Sequence, residues 1–216
     1  MKKLAGVLVL LLVPVILLTG PSIGTADTEQ DALTILFTHD MHDNLLPFIV
    51  EENGQAVEQG GYARLQTVIN QERTQDPDLI LVDAGDFSMG TLFQTIFSQD
   101  APGLRLLGQM GYEATTFGNH EFDFRPDGLA SCLVAAKASG ERLPRIVAAN
   151  LRFPVNEQGE IASEDLKRLQ KAMEEYGVKD YIVIDRKGYK IGIFGIIGKN
   201  AVSNAPMAGV EFIDPV

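Results

Sequence analysis

Apolar and polar positions along the chain fall into short β-branched runs separated by stretches with helical spacing. Leu33-Thr34-Ile35-Leu36-Phe37-Thr38 has the content of a buried strand and stops at His39-Asp40. Gly61 to Arg73 places Leu65, Val68 and Ile69 at helical spacing; Pro77 and Asp78 then lead into a second buried strand, Leu79–Val82, which ends at Asp83-Ala84-Gly85-Asp86. Leu92–Phe97 and Gly103–Met110 read as helical, with Gly111 as the glycine just past a helix end. Glu113–Phe117 is a third strand, ending at Gly118-Asn119-His120-Glu121. Pro126–Ser139 is a helix closed by Gly140, and Arg145–Ala149 a fourth strand ending at Asn150. From Ser163, Leu166, Leu169, Met173 and Tyr176 share a helix face. Ser163 is placed to cap that helix, Glu164 and Asp165 suit its N-terminal dipole, and Gly177 can end it. Tyr181–Asp185 and Lys190–Ile196 form a hairpin-like pair around Lys187-Gly188. Strands alternating with helices predict a layered α/β domain.

The first residues break this pattern. Lys2 and Lys3, the apolar run Leu4–Leu18 and the small residues Gly24-Thr25-Ala26 follow the order of a secretory signal peptide, with cleavage expected after Ala26. An uncleaved membrane anchor is the alternative, although about 15 apolar residues are short for a hydrocarbon core. Either reading places the body of the protein outside the cytoplasm. Residues 27–32 then serve as a linker and 33–216 as one domain, large enough to bury a core.

Composition narrows the function. The whole chain carries a formal charge of −11, and losing Lys2 and Lys3 makes it more negative still, which disfavours nucleic acid or an anionic membrane as the main partner. No stable membrane partner is expected after signal cleavage. The single Cys132 lies in an apolar stretch and reads as a buried structural cysteine.

Three polar clusters directly follow three predicted strands: Asp40-Met41-His42, Gly85-Asp86 and Gly118-Asn119-His120-Glu121. In open α/β sheets, ligands gather beyond the carboxyl ends of the strands, so clusters far apart in sequence should converge in space. All three histidines of the chain, His39, His42 and His120, fall in them. An Asp-x-His pair can turn a carboxylate and an imidazole into one pocket, and Gly85 permits the tight turn and close approach that a shared Asp86 carboxylate needs. Mixed Asp, His and Asn donors favour Mn²⁺, Zn²⁺ or Fe²⁺ over Ca²⁺.

The order D-x-H, G-D, G-N-H-E resembles that of calcineurin-like metallophosphoesterases. The strings ILFTHDMHDNLLPF, GGYARL, LVDAGDFSMG, TFGNHEFDF and VAANL are similar to the secreted 5′-nucleotidase branch, from about Leu33 to Val216. The resemblance implies a layered mixed β-sheet sandwich flanked by helices. It also implies two divalent metal ions: Asp40 and His42 hold one, Asp86 bridges, and Asn119 holds the other. His120 would be the catalytic residue beside the phosphate, with Asp123 orienting it; an N-cap for the Pro126 helix is the alternative role for Asp123. The implied reaction is hydrolysis of a nucleotide or other phosphoester by two-metal activation of water, with cyclic nucleotides or nucleotide sugars as alternative substrates.

The resemblance further implies downstream histidine ligands and a C-terminal substrate domain. No histidine follows His120, so the second metal site is expected to be incomplete, and a non-catalytic metal-binding module is the alternative reading. Arg64 and Arg125 are most simply surface or ion-paired arginines. Phe122 and Phe124 are expected to anchor the third cluster in the core, and Gly192, Gly195 and Gly198 to permit close strand packing.

Overall fold

The computed structural model describes residues 32–214. The expected signal peptide and residues 27–31 of the linker lie outside the described residues. From Leu33 the chain forms one unit. Its elements are β1 (Ile35–Thr38), β2 (Phe48–Glu52), β3 (Gln55–Gln59), α1 (Tyr62–Gln75), β4 (Ile80–Asp83), a 3₁₀ turn (Leu92–Ile96), α2 (Phe97–Asp100), α3 (Pro102–Met110) and β5 (Ala114–Thr115). A second 3₁₀ turn (His120–Phe122) precedes α4 (Arg125–Ala138), β6 (Arg145–Ile146), β7 (Leu151–Arg152) and α5 (Glu164–Tyr176), and β8 (Tyr181–Arg186), β9 (Tyr189–Phe194), α6 (Lys199–Ser203) and β10 (Glu211–Phe212) come after them. No helix among the described residues is long and apolar enough to cross a membrane.

The expected layered α/β architecture forms around a four-stranded parallel sheet in the order β1-β4-β5-β6. The helices supply the main core: Ile69 of α1, Leu104 and Leu107 of α3, Leu129 and Leu133 of α4 and Leu169 of α5 are fully buried together with Leu81 of β4. At the far edge, Lys179 pairs with Val147, and the β8–β9 hairpin then curls over the other face of the sheet. There Ile191, Ile193 and Phe194 line an apolar slot of about 240 Å³ with Ile35, Ile80 and Val82. Parallel strands demand covered faces, and this face is only partly covered: Ile35 is 54% exposed and Phe37 63%.

The helix ends obey local chemistry. Gly111 and Gly177 end α3 and α5 in the left-handed conformation, at φ of 89° and 98°. Ser163 occupies the N-cap of α5, but its hydroxyl bonds the Asp165 carboxylate instead of accepting a backbone N–H, so the expected cap bond is not made. Val68 points outward, 48% exposed, and α1 packs through Tyr62, Leu65 and Ile69 instead.

Two further differences concern the strands. The hydrophobic pattern predicts no element over residues 45–60, yet β2 and β3 form a hairpin there. Asn53-Gly54 at its tip takes positive φ at both positions, the signature of a two-residue turn that matches strand twist. The third and fourth strands are shorter than expected, and the end of the fourth finds other partners: Ala148 N bonds Lys179 O and Ala149 N bonds Gly195 O, both at 2.8 Å.

Gly108 lies inside α3, where alanine normally stabilises a helix by about 1 kcal/mol. Here a Cβ would sit 1.8 Å from the Arg142 carbonyl oxygen, which is backbone. Gly108→Ala is therefore expected to destabilise the chain by roughly 1–3 kcal/mol in urea denaturation; stability at or above wild type would contradict this packing.

Candidate metal centre

The site is built by register. Thr38 lies opposite Asp83, and Val82 opposite Ala114, so β1, β4 and β5 finish at one edge of the sheet. Beyond it the first two loops run side by side: Asp40 N bonds Gly85 O at 3.1 Å, His42 N bonds Asp86 O at 3.0 Å, and Asp43 N bonds Phe87 O at 3.1 Å. The third loop joins through His120 N, which donates to Asp86 Oδ1 at 2.8 Å. Gly85 and Gly118 allow this approach. A Cβ on Gly85, at φ 93°, would lie 2.6 Å from Gly118 N, and one on Gly118 would lie 2.2 Å from Asp86 Oδ1.

Turning the donors inward takes unusual backbone. Of the nine non-glycine residues with positive φ among those described, Asp40, His42, Asp43, Asp86 and Met89 lie in the first two loops. Such conformations cost of order 1–3 kcal/mol each and concentrate where a site demands them. Asp tolerates them better than bulky residues.

The donor atoms of Asp40, His42 and Asp86 lie within 4.8 Å of one another, and His42 Nε2 stands 3.9 Å from Asp40 Oδ1. Ligands bound to one ion at about 2.0–2.2 Å can be at most about twice that apart, so this set fits a single divalent cation after small side-chain rotations. The other oxygen of Asp40 bonds His39 Nδ1 at 2.9 Å, and this bond, with the histidine charges, holds the Asp40 carboxyl below the usual carboxylate range against the smaller opposing effect of burial. Asn119 is buried, and the peptide joining it to His120 rests against the Asp86 carboxylate.

The His120 ring stands edge-on to that of His42, with centroids 5.1 Å apart. Its Nδ1 is 2.7 Å from Asp123 Oδ2. Because α4 begins at Arg125 with Phe124 in the cap position, Asp123 takes no capping role and faces His120 instead.

Three buried carboxylates, to which the sequence pattern assigns no role, hold this edge together. Asp83 accepts from Thr38 Oγ1 (2.8 Å), Thr115 Oγ1 (2.8 Å) and Gly85 N (3.0 Å), tying three strands at their last residues. Glu121, fully buried, accepts four hydrogen bonds from Asp86, Ser88 and Gly118. Burial pushes its carboxyl up to about 7, opposed by the bonds from Ser88 and Gly118. Asp43 accepts from Met89 N at 3.0 Å, and burial raises it to about 6. The only sequence signal for Glu121 and Asp43 is their place beside the donors; nothing marks them as buried.

The remaining expected residues separate. Arg64 pairs with Glu58, and Arg125 is exposed. Phe122 is fully buried as expected, but Phe124 is 39% exposed and stacks on Phe97. Of the three glycines, only Gly195 meets close packing, against Thr116 and Val147; Gly192 and Gly198 have open space. Cys132 is buried and free, and burial pushes its thiol up.

Comparison with known proteins bears on the family and the fold. The family described as Calcineurin-like phosphoesterase matches residues 33–186. Over 193 residues the chain is 31% identical to the trifunctional nucleotide phosphoesterase protein YfkN of Bacillus subtilis (strain 168), covering 84% of this chain and 12% of that protein. The crystal structure of a 5′-nucleotidase precursor from Thermus thermophilus superposes with a TM-score of 0.62 at 26% identity, covering 85% of this chain and 32% of that one. The NAD nucleotidase of Haemophilus influenzae gives 0.64 at 26% identity, covering 85% and 30%. The chain thus spans a third or less of the length of each of these proteins.

Burial of the His120 ring disfavours its charged form, but the hydrogen bond and charge of Asp123, with Asp86 and Glu121 nearby, outweigh this and raise its pKa. The pair's contribution to folding is then full below the ordinary histidine value near 6.5 and fades as pH rises through the folded value. Histidine NMR titration of the metal-free chain should show His120 above that ordinary value, and Asp123→Asn should lower it. An unchanged titration in the variant would contradict the pairing.

Proposed function

The chain belongs to the calcineurin-like phosphoesterase family, and on that premise we propose that it is a metal-dependent phosphoester hydrolase whose substrates are nucleotides. The observation that carries this reading is the convergence of Asp40, His42 and Asp86 within 4.8 Å, with His120 held against them. The names of the relatives, nucleotide phosphoesterase and 5′-nucleotidase, support the substrate class. The signal-like start, Lys2-Lys3 followed by Leu4–Leu18, supports export to the periplasm, cell surface or medium.

In this proposal Asp40 and His42 hold one divalent ion, Asp86 is shared, and Asn119 holds a second. Bound ions would supply Lewis acidity toward a phosphoryl oxygen and make water a competent nucleophile near neutral pH. His120 does the proton work. Asp123 accepts from Nδ1–H, which fixes the ring orientation and favours the doubly protonated ring, whose Nε2–H can then serve the phosphate or the departing ester oxygen. The solvent-facing Asp40 and His120 side chains let a substrate reach this edge without a conformational change.

With Mn²⁺ present, the 216-residue chain is expected to release phosphate from a nucleoside 5′-monophosphate, and His120→Ala to lower kcat by about 10²- to 10⁴-fold. Metal binding without turnover by the wild type would sink the hydrolase reading in favour of a metal-binding module of the same fold.

A further inference from the structure

We infer that Glu121 is a positioning residue for the metal centre, a buried carboxylate that sets the Asp86 and Asn119-His120 loops in binding geometry before any ion arrives. This rests on the metal-dependent reading above. Glu121 has no exposed surface and acts from beneath, through backbone amides and the Ser88 hydroxyl. Its Oε2 accepts from Asp86 N at 3.0 Å and Gly118 N at 2.7 Å, and its Oε1 accepts from Ser88 N at 3.1 Å and Ser88 Oγ at 2.8 Å. Four donors from two loops thus meet one side chain with no exposed surface.

The chemistry of those donors explains why a carboxylate is needed. An ionised carboxylate offers about four acceptor sites and no donor, which matches four converging N–H and O–H groups. Glutamine has nearly the same shape but turns an NH₂ toward one pair of donors, leaving two buried groups unpaired. Each loses its bond, and the loop relieves that loss by moving. The loop that moves carries Asp86, whose own Oδ1 accepts from His120 N. A shift there displaces the shared ligand and the catalytic histidine together. Groups that orient metal ligands from outside the first coordination sphere commonly set about 10- to 100-fold of affinity.

The test titrates Mn²⁺ by calorimetry into the metal-free 216-residue wild type, Glu121→Gln, Ser88→Ala and Asn150→Ala. Asn150 is a control for purely structural loss, since its buried amide bonds the backbone of Ile197 and Ile213 and makes no hydrogen bond to Glu121 or to the metal-binding side chains. Glu121→Gln is expected to weaken Mn²⁺ binding about 10- to 100-fold at a temperature where it remains folded, and to speed amide exchange at Asp86 and Gly118 in the metal-free state. Asn150→Ala should lower the melting temperature and leave the affinity unchanged. Wild-type affinity in Glu121→Gln, or unchanged exchange at those amides, overturns the positioning role alone. Should Glu121→Gln fail to fold, Ser88→Ala removes a single donor and is expected to weaken binding severalfold; an unchanged affinity there overturns the proposal equally. A wild type that binds no Mn²⁺ overturns the metal reading itself and this proposal with it.

Discussion

The Asp83 carboxylate accepts a hydrogen bond from Thr38 on one neighbouring strand, from Thr115 on the other, and from the backbone of Gly85 just beyond. This crossbar lies where the apolar sheet ends and the polar loops begin. Below it, parallel pairing and helix packing bury Leu81, Leu107 and Leu133. Above it, three chain segments leave a common edge with no room to diverge, because Gly85 and Gly118 approach closely enough to exclude any side chain between them. A buried carboxylate is unfavourable unless its hydrogen-bonding capacity is used. Asp83 uses it on the three segments that must be aligned.

The loops beyond this crossbar are held by their own hydrogen bonds. The left-handed residues Asp40, His42, Asp43, Asp86 and Met89 carry strain of about 1–3 kcal/mol each. Against this stand backbone bonds between the loops and to the Glu121 and Asp43 carboxylates, each contributing about 0.5–1.5 kcal/mol net and costing more if left unmade. The two sets are of similar size, so the loops keep their shape through many small interactions. Preorganisation of this kind suits a site that gathers like-charged donors: Asp40 and Asp86 repel until a cation joins them, and the backbone network absorbs that repulsion.

Much of this is legible in the sequence. The four parallel strands, the main helices and the glycine ends of α3 and α5 come from β-branched runs, helical spacing and turn chemistry, and the convergence of three clusters comes from strand ends in an α/β sheet. Other features depend on information that periodicity does not carry. The β2–β3 hairpin alternates weakly, and only its Asn53-Gly54 turn announces it. The Ser163 hydroxyl can bond either the backbone or a side chain, and it bonds Asp165. Nothing in the sequence marks Asp43, Asp83 and Glu121 as buried, since acidic residues are seldom fully buried; their burial emerges only when the loops meet. The Asp123 contact lies between the two, since a residue three positions on from His120 can face it in a tight turn or cap the next helix, and the 3₁₀ turn at His120–Phe122 selects the first.

If the first two strand-end clusters form one cation site, a bound ion must lie between Asp40, His42 and Asp86. Anomalous diffraction at the manganese edge, from crystals of the chain soaked in Mn²⁺, locates that ion without reference to activity. A peak is expected about 2.0–2.3 Å from carboxylate oxygens of both Asp40 and Asp86 and from His42 Nε2. Manganese found only elsewhere on the acidic surface, with none between these three side chains, would refute the shared site.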